Sequence, residues 1–169
     1  MVRRRDTACA FTGYRPQKLP WDEESDPRCV NLKQRLRAAI EDACRGGMEH
    51  FICGMAQGVD LYCGELVLEV RRDWPEITLE AAIPCPSQCA AWSAAEQGRW
   101  HRLLEQCDDE TIVQQHYSSG CMMRRNRYMV DHAAMLIAVF DGQSGGTRRT
   151  VEYAMRRGLP VTMLPPVEE

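Results

Sequence analysis

The chain has 169 residues, of which 44% are hydrophobic and 27% charged, with a formal net charge of −3. That length supports one domain with its own core, expected to span 1–169, and no apolar run approaches the ~20 residues that cross a bilayer. The acidic balance disfavours a role resting mainly on phosphate-backbone binding, and the apolar stretch after Arg3, Arg4 and Arg5 is too short for a signal-peptide core, so a cytoplasmic protein is expected.

Thr7 to Thr12 is a short apolar run stopped by Gly13 and reads as a buried strand. Asp26 followed by Pro27 predicts a helix start, an N-cap acceptor and then proline at the first helical position. Val30, Leu36, Ala39, Ile40 and Ala43 continue that helix at helical spacing, and Gly46 and Gly47 end it. His50 to Cys53 is a second strand, Gly54 to Gly58 a glycine loop, and positions 59, 62, 63, 66, 67 and 70 an apolar helical stripe closed by Trp74-Pro75. Ile77 to Ile83 is a third strand. Ser93 with Glu96 forms a capping box for a helix running to about Gln106. A short strand at Thr111 to Val113 and a helix from Met122 to about His132 follow. Next come a strongly apolar strand from Met135 to Phe140, a glycine loop from Gly142 to Gly146 and a helix from Thr147 to Arg157 capped by Gly158. Val161 to Leu164 is the last strand, followed by a short acidic tail. Strands that are apolar runs rather than alternating patterns, each separated by a helix, predict a three-layer, doubly wound α/β domain on a mainly parallel sheet.

In such folds ligands bind where strand order reverses, at the carboxyl ends of the strands. Four segments at those ends are candidate binding elements: Gly13-Tyr14-Arg15, Gly54-Met55-Ala56-Gln57-Gly58-Val59-Asp60, Arg124-Arg125-Asn126-Arg127, and Asp141-Gly142-Gln143-Ser144-Gly145-Gly146-Thr147. Glycines at a helix start leave backbone N–H groups aimed outward, with the positive end of the dipole behind them, which suits a phosphate. Arg15 adds a planar donor, and Thr147 a hydroxyl. Asp60 either caps its helix or bonds a ribose hydroxyl, the capping role needing no ligand. The arginine cluster either neutralises an anion or forms a solvated face. Trp92, Trp100 and Tyr128 are candidates for base stacking or for ordinary packing. His50, His101, His116 and His132 share no metal-ligand spacing, and the nine scattered cysteines read as reduced, buried residues. Cys85, between two prolines, is a possible exposed thiol, and Cys85 and Cys89 lack a second pair to complete a zinc site. No metal and no required cofactor are expected.

Phe11-Thr12-Gly13-Tyr14-Arg15-Pro16, Gly54 to Asp60, Ala82-Ile83-Pro84-Cys85-Pro86, Arg125 to Asp131 and Gly145-Gly146-Thr147 together resemble the YpsA-like family of the SLOG superfamily, over nearly the whole chain. The resemblance implies a Rossmann-like fold and a nucleotide-derived ligand such as ADP-ribose, NAD or a nucleoside phosphate. It also implies a regulatory or sensor role linked to bacterial cell division or stress, possible protein partners and a homodimer. By position, the implied contacts are Gly13 and Arg15, Gly54 through Gly58, Asn126 and Arg127, and Gly145 to Thr147, to which the residue reading adds Tyr14, Asp60 and Asp141.

The superfamily's LOG hydrolases carry a glutamate close behind the glycine-threonine motif. Here the nearest, Glu152, is five residues beyond Thr147 where those hydrolases have theirs three beyond, a two-residue shift that turns the side chain by roughly 200° around the helix. A sensor without catalysis is therefore the leading expectation, with Glu152, Asp60 and Asp141 as the carboxylates for an N-glycosidic hydrolase alternative. Single-stranded DNA binding of the DprA type, through Arg124, Arg125, Arg127 and Tyr128, is the other alternative.

Overall fold

The computed structural model describes residues 4–168, which leaves Arg3 and the terminal Glu169 outside the described residues. Six strands form one parallel sheet: β1 Ala8–Thr12, β2 His50–Cys53, β3 Thr78–Ile83, β4 Asp109–Ile112, β5 Met135–Val139 and β6 Val161–Leu164, in the order β4-β3-β2-β1-β5-β6. Five helices connect them: α1 Pro27–Arg45, α2 Val59–Val70, α3 Ala94–Glu105, α4 Cys121–Asp131 and α5 Gly146–Arg156.

Alternation along β1 divides the core between the two faces. Cys9 and Phe11 point into the cluster built with α1, α2 and α3, where Phe11 stacks on Phe51 at 5.9 Å. Ala8 and Ala10 point the other way, toward α4 and α5, and Ala82 and Ala138 join them there. Small side chains on that face let α4 and α5 lie close to the sheet.

Local signals set most boundaries. Asp26 accepts from the Arg28 backbone N–H at 2.9 Å, and Ser93 Oγ accepts from the Glu96 backbone N–H at 3.2 Å, as the capping patterns predict. Two expectations fail, at Val30 and at the start of β4. Val30 is 44% exposed, so it lies off the buried Cys29–Leu32–Leu36–Ile40 ridge of α1. In α2 all six positions of the expected stripe are buried, and burial extends beyond it to Asp60, Leu61 and Gly64, because the sheet, α1 and α3 pack around the helix. β4 starts two residues before the predicted strand, at Asp109. An edge strand pairs along one side only, and its burial alternates, so it tolerates Asp109 and Glu110.

The chain steps outward from β1 through β2, β3 and β4, then crosses back to β5 on the other flank of β1. The reversal falls between β1 and β5 and opens a crevice at their carboxyl ends.

Candidate functional site

That crevice holds a cavity of about 360 Å³. Of the expected residues, Gly13, Tyr14, Arg15, Ala56, Asp60, Asn126, Gly146 and Thr147 line it, together with Thr12, Gln17, Lys18, Ser119, Met122, Met123, Arg125 and Arg149. Four cations, Arg15, Lys18, Arg125 and Arg149, therefore face a single carboxylate, Asp60. None of Arg15, Lys18 and Arg149 makes an ion pair among the described residues.

The helix starts sharpen this asymmetry. α1 and α3 begin away from the cavity and are capped by Asp26 and Ser93. The helices that begin at the cavity, α2, α4 and α5, have Gly58, Gly120 and Gly145 at the N-cap, with no side chain accepting from their first turns. Their amino ends carry partial positive charge that no side chain caps, the first N–H of α2 being taken by the Tyr14 carbonyl and that of α4 by the Ser118 carbonyl.

The two glycine loops differ in what fills them. In the β2–α2 loop the molecule fills its own cradle. Arg125, 3% exposed, reaches in from α4 and donates through Nη1 to the Gly54 carbonyl, which also accepts from Gln88 Nε2 at 3.1 Å. Asp60 Oδ2 accepts from the Ala56 backbone N–H at 3.2 Å. A Cβ on Gly54 would lie 2.6 Å from Asp60 Oδ2 and 3.0 Å from the Arg125 guanidinium carbon, so this glycine is required by the protein's own side chains. Burial pushes the Asp60 carboxyl up, against the opposing pull of Arg125 and the Ala56 N–H. Burial likewise pushes the Arg125 guanidinium down, opposed by Asp60. Each charge offsets part of the burial cost of the other.

Several expected contacts are corrected here. Met55 is fully buried in the core at φ 64°, and neither it nor Gly54 nor Gly58 lines the cavity. Gly58, at φ 85°, admits close approach of Tyr14 O, which a Cβ would meet at 2.7 Å. Asp60 does not cap its helix, since Gly58 holds that position. Arg127 points away from the cavity and lies over the Tyr153 ring at 5.8 Å. Exposed Arg124 donates to Gln114 Oε1 at 3.3 Å, so the arginine cluster does not act as one surface.

The β5–α5 loop is open by comparison. Tyr14 ties it to the β1 loop: its hydroxyl donates to Asp141 Oδ1 at 2.6 Å and accepts from the backbone N–H groups of Asp141 and Gln143, each at 3.2 Å. The Tyr14 hydroxyl is therefore committed to bracing, its ionisation pushed up by burial and by Asp141. Asp141 is held below the usual carboxylate range by that same bond. Asp141 and Gly145 do not line the cavity, whereas Gly146 and Thr147 do, and a Cβ on Gly146 would meet nothing within 4 Å. Asn126 lines the cavity with both ends of its amide engaged: Oδ1 accepts from Arg125 Nε at 2.7 Å, and Nδ2 donates to Thr150 Oγ1 at 2.9 Å.

Of the carboxylates considered for hydrolysis, only Asp60 reaches the cavity. Glu152 is exposed and paired with Arg148 at 2.9 Å. The aromatic candidates are engaged elsewhere. Trp100 is buried with Nε1 bonded to Gln88 Oε1 at 3.0 Å, Trp92 packs against the core, and Tyr128 donates to Glu80 Oε2 at 2.5 Å. Cys85 is 1% exposed, not an accessible thiol. All nine cysteines are free, and burial pushes Cys107, the least buried of them, up to about 12.

One group with metal-ligand chemistry has no sequence spacing because it is assembled across strands: His50, Glu80 and Asp109, whose ligand atoms lie within 4.8 Å of one another. His50 and Asp109 begin β2 and β4, at the ends opposite the cavity. His50 Nε2 meets Glu80 Oε1 at 2.7 Å, and Glu80 Oε2 accepts from Thr111 and Tyr128. The group is a hydrogen-bonded network that seats α4 on the sheet.

Fold and crevice together define a Rossmann-like α/β protein with a cavity lined by four cationic side chains at its topological switch. The family model described as the YspA SLOG family matches residues 9–160, and the chain belongs to that family. It is 30% identical over 144 residues to the uncharacterized SPbeta prophage-derived protein YoqJ of Bacillus subtilis, covering 78% of this chain and 84% of that protein. It is 27% identical over 152 residues to a UPF0398 protein of Bacillus anthracis, covering 88% and 83%. Among solved structures it is similar in fold to DNA processing protein A (DprA) of Helicobacter pylori, a structure titled for its single-stranded DNA binding mode, with a TM-score of 0.65 and 18% identity, covering 95% of this chain and 66% of that one. It also resembles DprA of Streptococcus pneumoniae, with a TM-score of 0.63 and 14% identity, and spans about half of that chain (51%). No helix among the described residues is long and apolar enough to cross a membrane.

Proposed function

We propose that the crevice binds a phosphate-bearing, nucleotide-type ligand and that the protein acts as a sensor of it. One observation carries this reading: the amino ends of α4 and α5, without side-chain caps, meet Arg15, Lys18, Arg125 and Arg149 around a cavity holding one carboxylate. Backbone N–H groups and guanidinium donors are the groups that bind phosphate oxygens. Asp60, Ser119 and Asn126 supply polar contacts for a sugar, and Met122 and Met123 an adaptable apolar wall. Thermal unfolding with AMP, ADP-ribose, NAD, cyclic dinucleotides and phosphate-free adenosine tests it. A ligand at 100 times its dissociation constant adds about 2.7 kcal/mol, a rise of several degrees. A rise with a phosphate-bearing compound and none with adenosine is the expected outcome. No response to any phosphate-bearing compound removes the reading.

A second reading, single-stranded DNA, is supported by the fold shared with the Helicobacter pylori protein and by exposed Arg15 and Arg149 at the cavity. Its signature is affinity for an oligonucleotide that falls steeply with salt, with a log–log slope of about −0.7 per phosphate contacted. Salt-insensitive or absent binding removes it.

A further inference from the structure

The crevice leaves one buried polar cluster unused: His50, Glu80 and Asp109, at the end of the sheet opposite the cavity. His50 and Glu80 are 3% and 5% exposed, so bulk water solvates neither. Strand register brings the three together. Glu80 is paired with Ile52 on one side and with Asp109 on the other, and His50 lies two residues before Ile52, so all three side chains leave the sheet on the face that α4 covers. The hydrogen-bond network assigns the imidazole tautomer. Thr78 Oγ1 directs its one hydrogen at the Glu49 carbonyl, 3.4 Å away, and so accepts from His50 Nδ1–H at 2.7 Å. Nε2 then carries the ring's lone pair, and it faces Glu80 Oε1 at 2.7 Å. Glu80 is itself an acceptor, because its other oxygen takes the hydroxyl hydrogens of Thr111 at 2.9 Å and Tyr128 at 2.5 Å. Asp109 Oδ2 lies 3.9 Å from the same Nε2. Three acceptors converge in a largely dry setting, and a cation among them, a proton or a metal ion, is what satisfies them.

We propose that His50 Nε2, Glu80 Oε1 and Asp109 Oδ2 bind a divalent transition-metal ion of the zinc type, at a structural site separate from the crevice and independent of what the crevice binds. The donor set selects the ion. An imidazole disfavours magnesium and calcium, and the lack of a thiolate disfavours soft ions. The separations suit it as well. Ligands about 2.1 Å from a tetrahedral ion lie about 3.4 Å from one another. The 2.7 and 3.9 Å seen here straddle that value, so small rotations of the two carboxylates bring all three atoms onto one ion. The outer arrangement is the one that metal-bound histidines use, the far ring nitrogen donating to a fixed acceptor, Thr78, while hydroxyls hold the second oxygen of Glu80. The Asp109 side chain is 30% exposed on the edge strand β4, so the ion enters from that side and takes water as its fourth ligand there. Bound, it ties β2, β3 and β4 together. Through Glu80 and Tyr128 it also braces α4, the helix that carries Arg125 to the crevice.

The test titrates the full chain, stripped with EDTA, with Co²⁺ by calorimetry and by absorption. Cobalt is the probe because the chain has nine free cysteines, and thiolate ligation adds an intense near-ultraviolet charge-transfer band that a nitrogen–oxygen site lacks. The expected result is one Co²⁺ per chain, weak visible bands without the thiolate band, and bleaching of those bands by excess Zn²⁺. At about 100 times its dissociation constant the ion should raise the melting temperature by several degrees. Asp109→Asn, on the exposed edge, and His50→Gln should each weaken Co²⁺ by about tenfold or more. Should either variant fail to fold, the other and the wild-type spectrum decide. No binding by wild type overturns the proposal and leaves a proton as the cation at His50. A thiolate band, visible bands that survive excess Zn²⁺, or affinity unchanged in a folded variant overturns it too. None of these outcomes bears on the anion site in the crevice.

Discussion

The β2–α2 and β5–α5 loops look alike in sequence, each a glycine-flanked turn from a buried strand into a helix, yet they do opposite work. The first is closed by the protein's own charges: Arg125 on the Gly54 carbonyl, and Asp60 on the Ala56 N–H. The second is braced by Tyr14 and by Lys18 on the Ser144 carbonyl, and it leaves Gly146 and Thr147 facing the cavity. A glycine loop at a strand end states that something approaches the backbone closely, and the packing around it decides whether that is a ligand or a side chain.

Substitutions in the two loops should therefore separate stability from binding. The largest effect is expected at Arg125→Ala. It strands the buried Asp60 carboxylate and costs about 3 kcal/mol or more in urea unfolding, part of which Asp60→Asn should restore in the double variant. A loss below about 1 kcal/mol would mean the pair is not what holds the first loop. Next is the contrast between two glycines. Gly54→Ala forces a Cβ against Asp60 and Arg125 and should cost about 2 kcal/mol. Gly146→Ala meets open space and should leave stability within about 1 kcal/mol of wild type, on the stabilising side. Equal costs at the two positions would erase the distinction between the loops. Arg149→Ala, on an exposed side chain, should leave unfolding within about 0.5 kcal/mol while weakening a phosphate ligand about tenfold or more by calorimetry.

The smallest effect is in the pH dependence, where the two loops should pull in opposite directions. Burial raises the Asp60 pKa above its ordinary 3.8, so the native state binds the extra proton and stability falls as pH rises through 3.8 toward the folded value. Asp60→Asn should flatten that decline. Asp141 is held below 3.8 by Tyr14, so its contribution is fully present above 3.8 and is lost as pH falls through the folded value. Asp141→Asn should remove that acid limb, and acid unfolding curves of both variants read the two signs.

Much of the fold was legible because it rests on local rules. Asp26-Pro27 and Ser93 with Glu96 start helices through backbone bonds that those side chains make wherever they occur. The polar edge strand β4 was legible only in part, since Asp109 and Glu110 are tolerated there by exposure that no local pattern records. At the site, the loops were legible and their occupants were not. Arg127 was expected at the site, but Arg125 is the arginine of α4 that lines the cavity. The signal was present in the helix phase: Arg125 lies four residues from both Cys121 and Met129, on the ridge that α4 buries. Lys18 and Arg149 enter the cavity from a 3-10 turn and from the first turn of α5, and only the sheet order places those two segments side by side. The His50–Glu80–Asp109 network is built across β2, β3 and β4 and has no sequence spacing to read.

The most direct test of the central claim is calorimetric titration of the purified protein with ADP-ribose and with adenosine, in wild type and in Arg149→Ala. The account predicts saturable wild-type binding of ADP-ribose, none of adenosine, and at least about a tenfold loss in the variant at unchanged melting temperature. Binding of adenosine as tight as that of ADP-ribose, or ADP-ribose affinity indifferent to Arg149, would contradict an anion site at the amino end of α5.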